Sequence, residues 1–280
     1  MQVCVLASGS SGNATYVSSG KTRILIDCGL VAKEVVGRLA ELDVDPAKLD
    51  GILITHAHSD HYKAAGTIQA KYKVPIFTEW ATITAIRAAG SPGSFGRVTD
   101  CRPIPESIGD IDIEAFAVPH GAPGTAGGPV GFVLKHGRTK VCLATDLGRV
   151  TPTVTEALRG SDIILLEANY HEPIIRMKLR DRKFARDWDY LTWVLSTRGH
   201  LSNVQCGEAL AEVLTERTAH VFLVHISENH TIPEQDNNRY DIALEVVLGI
   251  LKQHDIKSPK FQRTYRRGRT EGRRSDSVSI

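Results

Sequence analysis

The feature that most constrains the fold is a histidine-rich segment that directly follows an apolar segment. A Gly-Ile-Leu-Ile run precedes residues 55–61, which read Thr-His-Ala-His-Ser-Asp-His. The run predicts a short buried strand. His56 and His58 are two positions apart, so in an extended backbone both rings project to one side, whereas a turn would aim Asp60 and His61 at a second point. Surface histidines before a helix capped by Asp60 are the alternative, but the density of ligands favours two adjacent metal ions.

Strand-like segments elsewhere in the chain end in a similar way. A side chain able to bind a metal ion follows an apolar segment at Asp27, His56, His120, Asp146 and His225. Because the carboxyl ends of strands line the binding crevice of α/β sheets, we expect these side chains to meet. Each has an ordinary explanation by itself, since an aspartate shortly before a glycine often forms a turn. Their recurrence predicts a shared site.

Hydrophobic periodicity predicts the order of secondary structure. We predict strands at residues 3–6, 14–18, 22–27, 51–54, 74–77, 111–118, 130–135, 140–146, 162–167 and 220–224. We predict helices at residues 32–42, 79–89, 203–215 and 240–253, and another helix after the histidines that Ser59 or Asp60 caps. Residues 91–110 read as a loop with a candidate strand at 101–104, and residues 172–198 are charged and aromatic. The alternation of strands and helices indicates the α/β class.

Length and charge indicate one domain with a tail. A chain of 280 residues is a common size for a single α/β domain, and it contains no repeat and no long linker. We predict one domain over residues 1–254. From Lys252 onward nine Lys and Arg stand against three Asp and Glu, although the net charge of the chain is only +2. Residues 255–280 are therefore expected to form a basic, flexible tail.

Cysteine usage and the N-terminal sequence indicate the compartment. The five cysteines are scattered and form no C-x-x-C pair, so we expect reduced, buried thiols. Residues 1–6 lack the features of an export signal, and no apolar run is long enough to span a bilayer. We expect a cytoplasmic protein that does not contact membranes.

A turn rich in hydroxyl groups joins the first two predicted strands. Residues 7–13 read Ala-Ser-Gly-Ser-Ser-Gly-Asn. Glycine allows close approach of a ligand, and backbone N–H groups in such a turn can bind an anion. Ser8, Ser10, Ser11 and Asn13 are thus candidates for binding a substrate phosphate. A plain hairpin loop explains the segment equally well.

Together these motifs resemble the metallo-β-lactamase fold superfamily. The H-x-H-x-D-H run, the upstream Asp27 and the downstream His120, Asp146 and His225 are similar to its five signature motifs. Residues 8–13, 144–148, 199–203 and 225–229 resemble, more specifically, the YycJ/WalJ-like group of nucleases. The resemblance implies an α/β protein of the αββα sandwich type, with a dinuclear metal site at the edge between the two sheets.

A second resemblance is to RNase Z, the tRNA 3′-processing ribonuclease. His200 is similar in position to its helix-start histidine and His225 to one of its metal ligands. The chain has no segment that resembles the long tRNA-gripping arm of that enzyme, so this resemblance ranks second.

The first resemblance also implies a ligand set. The first ion would bind His56, His58 and His120, and the second Asp60, His61 and His225, with Asp146 bridging the two. Imidazole and carboxylate ligands without thiolate suit Zn²⁺, and also Mn²⁺ or Fe²⁺. Asp27 is expected to orient a ligand or the loop rather than to bind a metal.

The implied pair of ions suggests a reaction. Two metal ions about 3.5–4 Å apart activate water at neutral pH and hold both oxygens of an in-line displacement. We expect attack on a phosphodiester, with Asp60 and His200 as the catalytic residues. His200 would stabilise the oxyanion or protonate the leaving oxygen. Its alternative role is to cap the following helix.

Basic and aromatic residues outside the motifs favour a nucleic acid, DNA more than RNA. Residues 257–274 include Phe261 and Tyr265 among basic side chains, and the basic residues 176–186 include Phe184, with Trp188 following nearby. Such side chains pair with phosphates and stack on bases, although a solvated surface is the alternative.

We therefore expect a DNA exonuclease. The alternatives are a small-molecule hydrolase acting on a thioester, lactone or cyclic phosphodiester, and RNA processing like that of RNase Z. A non-catalytic metal-binding or nucleic-acid-binding module ranks last, because it would gain nothing from a bridging carboxylate.

Overall fold

The computed structural model describes residues 1–89, 98, 100–121, 126–227, 239–264 and 276–280. Its strands are β1 (Gln2–Ala7), β2 (Ala14–Ser18), β3 (Arg23–Ile26), β4 (Gly51–Leu53), β5 (Ile76–Phe77), β6 (Cys101–Arg102), β7 (Ser107–Ile108), β8 (Ile111–Ala117), β9 (Val130–His136), β10 (Thr139–Ala144), β11 (Ile163–Glu167), β12 (His220–Val224), β13 (Lys260–Gln262) and β14 (Ser277–Ser279). Its helices are α1 (Ala32–Ala40), α2 (Ser59–Tyr62), α3 (Ala65–Tyr72), α4 (Trp80–Ala89), α5 (Pro152–Leu158), α6 (Glu172–Arg180), α7 (Trp188–Val194), α8 (Asn203–Val213) and α9 (Arg239–Gln253), with 3₁₀ turns at Pro46–Lys48 and Arg182–Asp187.

The described strands form two mixed sheets. The first has the order β14-β1-β2-β3-β4-β5-β6 and the second the order β13-β12-β11-β10-β9-β8-β7. Strands β3 to β6 run parallel to one another, as do β10 to β13. β8 runs in the same direction as β10, because each pairs antiparallel with β9. In each sheet the carboxyl ends of these strands therefore lie at one edge.

Strand alternation divides the apolar side chains between the layers. Val3 and Val5 of β1 contribute to the core between the two sheets, while Cys4 and Leu6 pack toward α1 and α3. β11 alternates in the same way between the central core and α5, α8 and α9. The result is four layers, helix, sheet, sheet and helix, which confirms the predicted αββα sandwich.

The ten predicted strands are present, and the candidate strand at 101–104 forms β6. The four predicted long helices also form. The ends of these strands and helices differ from the predicted ones by a few residues. The predicted cap of the helix after the histidines is wrong: His58 is the N-cap of α2, without a side-chain hydrogen bond, and Asp60 lies in its first turn. Residues 172–198 contain α6 and α7, and β7 lies in the predicted loop. All five cysteines are free, and all except Cys101 are buried, largely as expected.

The segment 255–280 contributes two strands. β13 pairs with β12, and β14 pairs with β1, so at these points the chain belongs to the sheets rather than to a flexible tail. Three-residue strands are too short to show a periodicity in the sequence. Residues 265–275, with most of the basic side chains, lie outside the described residues. In the described part of the chain, no helix has the length and apolar character needed to cross a bilayer.

Candidate metal centre

The predicted site residues come together at the carboxyl ends of the strands. Asp27 follows β3, the histidine-rich segment follows β4, and the remaining three side chains follow β8, β10 and β12. Asp27, Asp146 and His225 have left-handed backbones, with φ of 59°, 57° and 54°. Such a conformation costs a non-glycine residue roughly 1–3 kcal/mol and is concentrated at functional sites. The backbone at these strand ends is therefore bent so that the side chains meet.

Three histidines form the first group. His56 Nε2 lies 2.9 Å from His58 Nδ1, which lies 3.2 Å from His120 Nε2. Burial lowers the pKa of all three, that of His120 to about 4, so the rings are neutral near pH 7. A tetrahedral ion with metal–nitrogen distances of 2.0–2.1 Å places its ligand nitrogens about 3.3 Å apart. The convergence of three such nitrogens therefore fits one divalent ion.

Asp60, His61 and His225 form the second group. Asp60 Oδ2 lies 3.5 Å from His61 Nε2 and 3.7 Å from His225 Nε2. Among the described residues, His225 Nε2 has no hydrogen-bond partner although it is buried. An unsatisfied buried polar atom is costly, and a bound metal ion would remove that cost. The second group thus also fits a divalent ion.

Asp146 lies between the two groups. Its Oδ1 is 3.5 Å from His120 Nε2 and 3.4 Å from His225 Nε2, and its Oδ2 is 3.3 Å from His61 Nε2. Burial opposes its ionisation, but the surrounding imidazoles, His225 first, hold its pKa well below the usual range. An ionised carboxylate placed between both groups is what a bridging ligand requires.

The two groups differ in protonation without metal. Burial opposes a charge on His61 and His225, but nearby carboxylates outweigh it. Asp27 and Asp146 raise the pKa of His61 well above its usual value, and Asp146 contributes most to raising that of His225 to about 10. Protons on these two rings therefore supply the positive charge that a second ion would bring.

Asp27 supports the site from outside the ligand groups. Its Oδ2 accepts a hydrogen bond from His61 Nδ1 at 2.7 Å, which leaves Nε2 directed to Asp60 and Asp146. Its Oδ1 accepts from the backbone N–H and the hydroxyl of Thr55, at 2.9 and 3.0 Å. Asp27 belongs to none of the four groups of described residues that could hold a metal. Its orienting role stays a prediction, for which the bond to His61 Nδ1 gives the contact.

Glu167, at the end of β11, is a site residue that the sequence analysis missed. It is fully buried, and its Oε1 lies 2.8 Å from His200 Nδ1 and 3.1 Å from His225 Nδ1. Its position as a carboxylate at a strand end is the same signal that marked Asp27 and Asp146. Asn169, two residues later, donates to the His225 carbonyl at 2.8 Å and was also missed.

His200 precedes α8 in the sequence, and its side chain lies beside the second ligand group. Its ring stacks on that of His225 at 5.1 Å between centroids, and its Nδ1 is 3.8 Å from Asp146 Oδ1. Ser202, not His200, caps α8 through a capping box with Gln205. The capping alternative for His200 is therefore excluded, and the ring is available for the site.

The serine-rich turn is bound to the site by two of its side chains. Ser8 Oγ accepts a hydrogen bond from the backbone N–H of His225 at 2.6 Å. The amide of Asn13 bonds Gly9 through both of its ends and lies 3.1 Å from His61 Nε2. Both residues are buried, whereas Ser10 is exposed and Ser11 half-buried. The segment is thus a hairpin loop that also contacts the site. Phosphate binding by its side chains stays a prediction.

The family of the chain follows from sequence comparison. Residues 22–226 match the model of the β-lactamase superfamily domain, a range that contains every predicted metal ligand. This chain belongs to that superfamily. It is 31% identical over 253 residues to "Exodeoxyribonuclease YycJ" of Bacillus anthracis, covering 89% of this chain and 88% of the relative. It is 34% identical over 255 residues to "Exodeoxyribonuclease WalJ" of Streptococcus pneumoniae, covering 90% and 88%.

Other members are more distant. A "Ribonuclease Z" of Mycobacterium bovis is 31% identical over 99 residues, which cover 33% of this chain and 32% of the relative. The crystal structure of the metallo-β-lactamase fold protein YhfI from Bacillus subtilis superimposes with a TM-score of 0.62 at 16% identity, covering 89% of this chain and 92% of YhfI. The structural likeness confirms the fold.

Proposed function

We propose that this chain is a metal-dependent exonuclease that hydrolyses the phosphodiester bonds of DNA. The observation that carries the proposal is the arrangement of two ligand groups around the buried carboxylate of Asp146. The choice of DNA is supported by the names of the two relatives that match about nine tenths of the chain. Free, mainly buried cysteines are consistent with a cytoplasmic location, which stays part of the proposal.

The ligand roles follow the two groups. His56, His58 and His120 would hold the first ion and Asp60, His61 and His225 the second, with Asp146 facing both. Imidazole and carboxylate donors suit Zn²⁺ or Mn²⁺, and Fe²⁺ after them. When bound, two such ions lower the pKa of a water and offset the charge that develops on the phosphate.

Residues of the chain itself would complete the reaction. Asp27 and Glu167 face Nδ1 of His61 and of His225, so Nε2 of each ring would be the atom that holds the second ion. Glu167 also holds Nδ1 of His200, and we propose that His200 Nε2 stabilises the oxyanion or protonates the leaving oxygen. Asp60 would be the carboxylate ligand of the second ion in this group.

RNA processing is the second candidate. It is supported by the partial match to a relative named Ribonuclease Z and by the position of His200 beside the ligands. A small-molecule hydrolase of the same fold ranks third, because the ligand groups alone would also serve a thioester, a lactone or a cyclic phosphodiester.

Hydrolysis by metal-stripped protein re-supplied with Mn²⁺ or Zn²⁺ tests the proposal. The substrates are end-labelled duplex DNA, single-stranded DNA and RNA. We expect metal-dependent release of nucleotides from a DNA end, lost in Asp146→Ala and retained in Asp112→Ala, which removes an exposed carboxylate on β8. Preferential cleavage of RNA would favour the second candidate. No cleavage of any nucleic acid by protein shown to hold metal would overturn the nuclease proposal in favour of the small-molecule hydrolase.

A further inference from the structure

Helix α7 brings two aromatic side chains to the metal centre. The ring of Trp193 lies 5.2 Å from that of His200 and 5.8 Å from that of His120, measured between centroids. Tyr190, one turn earlier, lies 6.0 Å from Trp193, with 30° between the ring planes. Tyr190 is 41% exposed. The two rings form a continuous aromatic strip from the protein surface to the ligands.

The strip is fixed in place by the same backbone that positions the site. Leu191 and Val194 of α7 are buried in a small apolar cluster against which Trp193 packs. The backbone N–H of His200 donates to the Val194 carbonyl at 3.1 Å. A Cβ on Gly199 would lie only 2.2 Å from the Trp193 carbonyl oxygen, so glycine is required for this close approach. These contacts join the C-terminal end of α7 to His200 and place the Trp193 ring next to the ligands.

Two of the aromatic residues named earlier for base stacking contact groups of their own segment. The ammonium groups of Lys178 and Lys183 lie 5.2 and 4.9 Å from the centre of the Phe184 ring. The indole N–H of Trp188 donates to the Lys178 carbonyl at 3.2 Å. These contacts tie Phe184 and Trp188 to the 172–198 segment, and base stacking by these two residues stays a prediction.

We propose that Tyr190 and Trp193 form a stacking platform for the nucleobase next to the scissile phosphate. The inference rests on the proposed nuclease function and specifies how that site holds its substrate. Every nucleobase has a π-face, so aromatic stacking binds all four bases without reading the sequence. An enzyme that removes successive nucleotides needs this tolerance, whereas a hydrolase of small thioesters or lactones would not need the platform.

A cation lies next to the segment that carries His120. Arg198 Nε donates to the Gly121 carbonyl at 3.0 Å, which fixes the exposed guanidinium beside the residue that follows His120. Guanidinium groups pair well with phosphate oxygens. Arg198 would bind a neighbouring phosphate while the platform holds the base.

The test combines a protein change with a substrate change. Wild type and Tyr190→Ala are assayed on a single-stranded oligonucleotide and on the same oligonucleotide with an abasic nucleotide beside the first scissile bond. Loss of a stacked base lowers kcat/KM by about 5- to 150-fold, and we expect the change mainly in KM. If the ring and the base contact each other, replacing the normal oligonucleotide with the abasic one should lower kcat/KM of Tyr190→Ala only slightly. The stacking interaction is already absent from that variant. Tyr190→Phe should retain wild-type behaviour, and Leu248→Ala, at an exposed apolar side chain of α9, serves as the control.

Binding gives a readout that does not depend on hydrolysis. An oligonucleotide with 2-aminopurine at the same position should lose fluorescence on binding metal-free wild type, and lose less on binding metal-free Tyr190→Ala. The platform would be overturned if the Tyr190→Ala change and the abasic change lowered kcat/KM additively. Equal fluorescence quenching by the two proteins would also overturn it. Wild type that binds the oligonucleotide with quenching but cleaves no nucleic acid would support the platform and count against the nuclease proposal.

Discussion

Replacing Glu167 with glutamine should weaken the second metal site while leaving the first intact. One carboxylate oxygen, Oε2, accepts hydrogen bonds from the backbone N–H groups of Leu147 and Leu201, at 2.5 and 3.2 Å. The other, Oε1, faces Nδ1 of His200 and of His225, at 2.8 and 3.1 Å. Each oxygen therefore faces two donors.

Glutamine can satisfy only one of these pairs. A backbone N–H cannot become an acceptor, so the amide oxygen must face Leu147 and Leu201, and the NH₂ group then faces the two rings. Each ring must accept at Nδ1 and carry its proton on Nε2. In His225 that is the atom directed at Asp146, 3.4 Å away, which a metal ion needs unprotonated.

The expected magnitude follows from this conflict. Changing a residue that orients a metal ligand typically costs 10- to 100-fold in metal affinity or activity. We expect that loss for the second ion, and at least as large a loss in kcat because His200 is affected too. The His56–His58 pair makes no hydrogen bond with Glu167, so the first ion should bind with nearly wild-type affinity.

Titration of metal-free protein with Zn²⁺ or Mn²⁺ against a competing chelator measures both affinities. Glu208→Gln, at an exposed carboxylate of α8, is the matched control. Glu167→Ala should be the less stable variant, because two buried N–H groups lose their acceptor at about 1–3 kcal/mol each. If Glu167→Gln binds both ions as tightly as wild type, the assignment of Glu167 as the orienting residue is refuted.

Three further predictions concern the ligands and the basic segment. Asp27→Asn should lower the affinity for the second ion by about 10- to 100-fold, because the tautomer of His61 is no longer fixed. The same chelator competition measures this affinity. Metal binding near pH 7 should release about two protons, from His61 and His225. Affinity for the second ion should therefore rise with pH up to about 10, the pKa of His225, while affinity for the first ion depends little on pH. Calorimetry in buffers of different ionisation enthalpy counts the released protons. Replacing the five arginines between residues 266 and 274 with glutamine should reduce the salt dependence of oligonucleotide binding but not hydrolysis of a small phosphodiester, and an unchanged salt slope would exclude them from binding.

The sequence predicted well which side chains come together at the site, because their signal is local. An apolar strand followed by a histidine or aspartate is visible within a few residues, and it recurs at His120, Asp146 and His225. The αββα architecture brings those strand ends together without any further information. Which oxygen of Asp146 faces which imidazole could not be predicted, since it depends on the register between strands distant in sequence.

The role of Glu167 could not be predicted from the sequence. The residue carries the same strand-end signal as Asp146, but its role depends on β11 lying between β10 and β12. Only that strand order places its carboxylate between His225, which follows β12, and His200, which precedes α8. Sequence reasoning could place each strand but not their order, so the connection between the two histidines was not visible.

The contact between the serine-rich turn and His225 also could not be predicted from the sequence. The left-handed backbone of His225, with φ of 54°, turns its N–H away from the strand ladder, and a buried N–H requires an acceptor. Ser8 supplies that acceptor from the opposite sheet, across 217 positions in sequence. A serine next to glycine is therefore as well suited to satisfy a distant N–H as to bind a phosphate. Ser8 Oγ accepts from His225 and still has its O–H to donate, so the contact with the distant N–H and the binding of a phosphate are compatible. Phosphate binding by Ser8, Ser10 and Ser11 stays a prediction, with Ser10 the most exposed of the three.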